Sequence, residues 1–178
     1  MGCCEILMLE YWLAKASTSQ KFFKSFEGAS MGIHNQYQLT ANIASSGQPR
    51  EDQFKAIAEA GYDIVINLAM PDSDHAIANE GSIVTSLGMT YIHIPVPFDA
   101  PSEDHYTAFS DVMTAFCEKK VWVHCVVNAR VSAFLFRYLQ ANRGFSAADA
   151  QTSVLAAWMP QMDDIWKAFI GKAPRQLS

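Results

Sequence analysis

The 178-residue sequence has no internal repeat, no low-complexity segment and no block of like charge. Nothing in it points to a solenoid, a tail or a flexible linker. No two cysteines stand at C-x2-C spacing, and His34, His75, His93 and His105 show no ligand spacing. A structural zinc site is therefore not expected, and no metal or other cofactor is assigned. Adjacent Cys3 and Cys4 suit no disulfide framework, so these two, Cys117 and Cys125 read as reduced thiols. Basic residues are outnumbered, 13 Lys and Arg against 18 Asp and Glu, giving a formal net charge of -5. That balance argues against nucleic acid or an anionic membrane as the main partner.

An apolar stretch able to span a bilayer is missing too. Glu5, Glu10 and Lys15 interrupt the first one, no basic residue precedes Lys15, and Ile6 stands where myristoylation wants Ser or Thr. The expectation is an amphipathic segment over residues 1–30 and a folded domain over 31–178, in the cytoplasm. A periplasmic home follows instead if Ala14-Lys15-Ala16 is the cleavage site of a degraded signal. With 50% hydrophobic and 17% charged residues, the chain has material for one buried core and no signature of disorder. Its oligomeric state stays open.

Strand and helix patterns alternate after Ser30. "QYQLTANIASSGQP" predicts one or two short strands closed by a Ser-Gly turn. Gln48-Pro49 predicts a helix start with Pro49 near the first position and Gly61 as its stop. "DIVINLAM", "MTYIHIPV" and "KVWVHCVV" are short β-branched runs, read as buried strands. Between them lie a short helix in "GSIVTSLG" and a longer one from about Asp104 to Glu118. A helix from Arg130 ends at Gly144, and two more follow, with Trp158 and Trp166 as core residues. The fold class is α/β, a mainly parallel sheet with helices on both faces. Loops after parallel strands open on one rim, where such sheets bind ligands.

One of those loops carries chemistry. In "VWVHCVVNARVSAF" a strand runs into Cys125, and a helix opens within a few residues. Unpaired backbone N–H groups at a helix start favour a thiolate and can cradle a tetrahedral anion. The candidate cradle is Val126, Val127, Asn128, Ala129, Arg130 and Val131, with Arg130 able to add a two-pronged fork to phosphate oxygens. A thiolate attacking phosphorus forms a phospho-cysteine without a metal. Asp99, in the preceding loop, is the candidate acid for the leaving oxygen, with Glu103 and Asp104 in reserve. An isolated cysteine at a strand end is more often a small buried hydrophobe, and Cys117 takes that reading. Cys125 differs because His124, Arg130 and Ser132 accompany it.

At these residues the chain resembles the cysteine-based protein tyrosine and dual-specificity phosphatases, whose signature is H-C-x5-R-[ST]. It is most similar to their bacterial DUF442, or phosphatase-like, branch, with "SGQP", "VINL", "IPV" and "VHC" as successive landmarks from Gln36 to Gly171. The resemblance implies an α/β phosphatase fold, no cofactor, and hydrolysis of a phosphorylated protein or small phosphomonoester. It makes Cys125 the nucleophile, His124 its support, Asp99 the acid, and Ser132 the hydroxyl that eases thiolate departure.

The spacing here is C-x4-R. Aligned without gaps, Asn128 takes the usual glycine and Val131 the usual arginine position. Either the loop is one residue shorter with Arg130 turned inward, or Arg130 faces elsewhere and the cradle has backbone donors alone. The expectation is the short loop, with Val131 packing. A shorter loop also resembles that of rhodanese-like sulfurtransferases. Val131 at the arginine position raises a third reading, a non-catalytic anion-binding pseudophosphatase.

Overall fold

The computed structural model describes residues 30–172. The expected N-terminal segment, with Cys3 and Cys4, lies outside the described residues apart from Ser30. In chain order the elements are β1 (Tyr37–Gln38), β2 (Ile43–Ser46), α1 (Gln53–Glu59), β3 (Ile64–Asn67), α2 (Glu80–Ser86) and β4 (Thr90–His93). Then follow α3 (Glu103–Ala115), β5 (Val121–His124), α4 (Ala129–Arg143), α5 (Ala147–Ala150), α6 (Ser153–Trp158) and α7 (Asp164–Gly171). The strands form one sheet in the order β1-β2-β5-β3-β4. β2, β5, β3 and β4 run parallel, and β1 is antiparallel at the edge.

The β-branched runs of β3 and β5 are buried at every position because both faces of the sheet are covered. Alternate residues serve opposite sides. Ile64, Ile66, Val121 and Val123 join one core with Phe109 of α3, Phe134 of α4, Leu155 of α6 and Trp166 of α7. Val65, Trp122 and Ala44 meet Phe54 and Ile57 of α1 and Val84 of α2 in a second. Burial of a side chain such as Phe54 or Ile57 contributes about 1.5–3 kcal/mol. Among the described residues no helix is long and apolar enough to cross a membrane.

Helix ends follow local chemistry. Gly144 takes a left-handed conformation, φ 67°, and Phe145 N–H bonds back to Leu139 O at 3.1 Å, closing α4. The start expected at Pro49 is corrected to Gln53. Gln48 N–H bonds Val126 O at 2.9 Å, and Gln53 N–H bonds Arg50 O at 3.0 Å, so the chain makes a turn over Arg50–Gln53 first. Arg50 N–H then bonds the Gln53 side chain at 2.8 Å, forming a turn before α1 begins. Pro49 belongs to the loop after β2, and that loop lies on the same rim as those after β3, β4 and β5.

Candidate active site

β5 occupies the middle of the parallel strands, between β2 and β3. His124 pairs in register with Ser46 on one side and Asn67 on the other. Cys125 follows directly, 1% exposed, its N–H bonded to Ser46 O at 3.3 Å. The turn beyond it is fastened from outside. Val126 O accepts Gln48 N–H at 2.9 Å, and Val127 O accepts the Asn35 side-chain amide at 2.9 Å. In a trans peptide the N–H lies opposite the C=O, so these outward carbonyls turn the N–H groups of Val127 and Asn128 into the loop.

Asn128 makes the bend in left-handed backbone, φ 70° and ψ 6°, a region asparagine tolerates better than most residues. Its side chain is fully buried and donates to Asn35 O at 2.7 Å and Ser45 Oγ at 3.0 Å. Ser132 N–H bonds Asn128 O at 3.0 Å and closes the first turn of α4. The N–H groups of Ala129, Arg130 and Val131 therefore precede the helical ladder.

The two branched positions of this turn diverge. Val131 is fully buried within the larger core. Arg130 is buried as well, but its Nη1 donates to Val96 O at 2.8 Å, in the loop after β4. Asp99 stands exposed in the turn of that loop. Trp166 Nε1 donates to Phe98 O at 2.7 Å, and the Phe98 ring lies 5.5–5.6 Å from Trp166 and Trp158. The Asp99 turn is thus anchored by the arginine helix on one side and by α7 on the other. Ser132 Oγ accepts from Thr152 Oγ1 at 2.8 Å, and Thr152 Oγ1 in turn accepts Leu155 N–H at 3.1 Å. That direction leaves the Ser132 proton uncommitted.

Beside the turn opens a cavity of about 610 Å³, lined by Val126 and Val127, His34, Gln48, His75 and Ile77 among others. Cys125 does not line it; the two residues after it do.

No protein-family model and no curated protein matches the sequence. Solved structures do. A DUF442 protein from Shewanella putrefaciens CN-32 is 34% identical, over 78% of this chain and 90% of that one, with a TM-score of 0.71. The chain belongs to the DUF442 phosphatase-like family. Two further likenesses carry the fold. Tk-PTP in its active form is 20% identical over 80% of this chain and 98% of its own, TM-score 0.64. A cysteine-to-serine variant of TpbA from P. aeruginosa, in complex with phosphotyrosine, is 15% identical over 80% and 86%, TM-score 0.61.

Two landmarks of the DUF442 resemblance, "SGQP" and "VINL", supply the supports of the cysteine turn. Gly47 is the tightest. A Cβ there would stand 2.7 Å from Val126 O and 3.1 Å from His34 O, both backbone atoms. Gly47→Ala is expected to displace the cysteine turn, cost about 1–3 kcal/mol and lower turnover at least about tenfold. Thermal melting and aryl phosphate kinetics check it; an unchanged kcat with an unchanged Tm contradicts it.

The reserve acid Glu103 is committed elsewhere in this DUF442 chain. Arg137 grips it with two bonds of 2.9 and 3.0 Å, and Lys172 lies at 3.1 Å. The Arg137 bonds hold its carboxyl below the usual carboxylate range, which suits a structural link better than a proton donor. Asp104 is exposed in the first turn of α3. Sequence reading missed a cluster of buried Glu80 and Asn67 with half-buried Tyr91 and Gln48 behind His124. Its members come from four separate segments, and no spacing announces it.

Proposed function

We propose that the protein is a cysteine-dependent, metal-independent phosphatase that hydrolyses phosphotyrosine or a small phosphomonoester. The observation that carries this reading is Cys125 at the end of β5, followed by a turn whose carbonyls face outward and whose N–H groups face inward. The thiolate of Cys125 attacks phosphorus, forming an S–P bond as the P–O bond to the leaving group breaks. Backbone N–H groups from Val127 to Val131 hold the equatorial oxygens. Arg130 uses Nη1 for Val96 O, and its remaining N–H groups supply the fork to two of those oxygens. Asp99 gives its proton to the departing oxygen and then takes one from the water that attacks the phospho-cysteine. Water's oxygen ends on phosphate and the sulfur leaves as thiolate, receiving a hydrogen bond from Ser132. His124 supports the cysteine from below. None of these steps calls for a metal.

The phosphotyrosine bound by the TpbA variant fits this substrate class. An acidic chain with net charge -5 fits a phosphorylated protein or small ester better than nucleic acid or membrane, and the cytoplasm remains the compartment we assign.

Pure, reduced protein should hydrolyse an aryl phosphate with EDTA present. Asp99→Asn should slow alkyl phosphates about 10²-fold or more while slowing good aryl leaving groups far less, because only poor leaving groups need the proton. Equal losses for both would remove Asp99 from the acid's role. Absence of turnover on every phosphomonoester tried would sink the phosphatase reading itself.

A further inference from the structure

Behind the cysteine turn lies a carboxylate that the mechanism above does not use. Glu80 opens α2 and is 3% exposed. Its Oε1 accepts from His124 Nε2 and from Asn67 Nδ2, both at 3.0 Å. Its Oε2 accepts from Gln48 Nε2 at 2.5 Å. A buried carboxylate without partners is costly, and here each oxygen is engaged. Burial by itself pushes the carboxyl up, but the hydrogen bond and charge of His124 and the bond from Gln48 outweigh it, holding Glu80 below its ordinary range. At neutral pH it is a carboxylate.

The groups facing it are few. His124 comes from β5 and Tyr91 from β4; Asn67 of β3 and Gln48 of the loop after β2 are neutral. The Tyr91 hydroxyl accepts from Asn67 at 3.1 Å. Its ring passes Gly81, where a Cβ would stand 2.9 Å from a ring carbon. Phe54 of α1 meets the imidazole edge-on, centroids 6.0 Å apart. The imidazole is therefore held at Nε2, while its buried Nδ1 has no partner among the described residues.

We propose that Glu80 is a positioning residue for the reaction at Cys125, acting through His124. Its Oε1 fixes the imidazole in the Nε2–H form and in one orientation, so that the Cys125 thiolate one residue away meets a fixed neighbour. This rests on Cys125 being the nucleophile. Glu80 also joins α2 to the loop after β2 through Gln48, so the same carboxylate that steadies His124 steadies the segment holding Val126 O.

Glu80→Gln keeps the shape and removes the charge. Iodoacetamide alkylation of Cys125, followed by peptide mass across pH 5 to 9, should run about tenfold slower at pH 6 than in the wild type. Its pH profile should be displaced upward by about one unit, the displacement that a tenfold change represents. A purely structural role would lower Tm and leave that profile in place, and coincident profiles in a folded variant overturn the proposal. Alkylation needs no phosphatase turnover. A displaced profile in a protein that hydrolyses no phosphomonoester would therefore refute the phosphatase reading and leave Glu80's action on the thiolate standing. If Glu80→Gln does not fold, ¹⁵N NMR of the wild-type imidazole decides: a proton on Nε2 of His124 is expected. A bare Nε2 with the proton on Nδ1 overturns the proposal.

Discussion

Cys125→Ser is expected to abolish turnover, by a factor on the order of 10³ or more, while leaving anion binding in place. The hydroxyl that replaces the thiol stays protonated at neutral pH, and no base within the turn is placed to activate it. The cradle itself is backbone: the N–H groups of Val127 and Asn128 are oriented by Gln48 N–H on Val126 O and Asn35 on Val127 O. None of those bonds involves the sulfur. Phosphate should therefore still raise the Tm of the variant, since a ligand stabilises the state it binds. Stopped turnover with retained phosphate protection is the expected pair of results. Undiminished hydrolysis by the variant would remove Cys125 from the reaction. A wild-type protein that phosphate protects but that hydrolyses nothing would be a pseudophosphatase. Transfer of sulfur from thiosulfate to cyanide, with a persulfide on Cys125, would mark a sulfurtransferase.

The second large effect concerns neighbours with opposite surroundings. Arg130→Lys should lower kcat/KM about 10²-fold, the usual scale for losing a fixed donor to a developing charge. An ammonium can keep the bond to Val96 O or reach one phosphate oxygen, but it cannot make two parallel bonds. Val131→Arg should give no gain in turnover and should cost about 3 kcal/mol or more, because Val131 is fully buried in the larger core. A thermal melt and an aryl phosphate assay on both proteins suffice. A near-silent Arg130→Lys together with a faster Val131→Arg would mean that the turn has ordinary length and has lost its arginine. The packing of Val131 and the bond from Arg130 to Val96 favour the first outcome.

Much of this arrangement can be read in the chain. "DIVINLAM" and "KVWVHCVV" are too apolar and too β-branched to be anything but buried strands, and Gly144 marks the end of α4 by the backbone it adopts. Asn128 is legible as a bend because few other side chains tolerate left-handed backbone. Strand order is where local pattern stops. Nothing near Ser46 says that β2 lies beside β5, so the role of Gly47 and Gln48 as clamps on Val126 appears only in three dimensions. Pro49 misleads as well: as a helix-start signal it is sound, but the chain makes the Arg50–Gln53 turn before the helix begins. Glu80 is the extreme case. It meets His124 across 44 residues of sequence, and a lone glutamate at a helix start ordinarily serves the helix dipole at the surface.

The bond from Trp166 Nε1 to Phe98 O spans 68 residues, and that span sets an order of events during synthesis. Every strand among the described residues, and the cysteine turn, leaves the ribosome before Trp166 does. The turn after Cys125 can therefore form on a nascent chain whose Asp99 turn still lacks its α7 anchor. Between those moments the Phe98–Asp99 turn lacks its bond from Trp166, which arrives only with the last described helix.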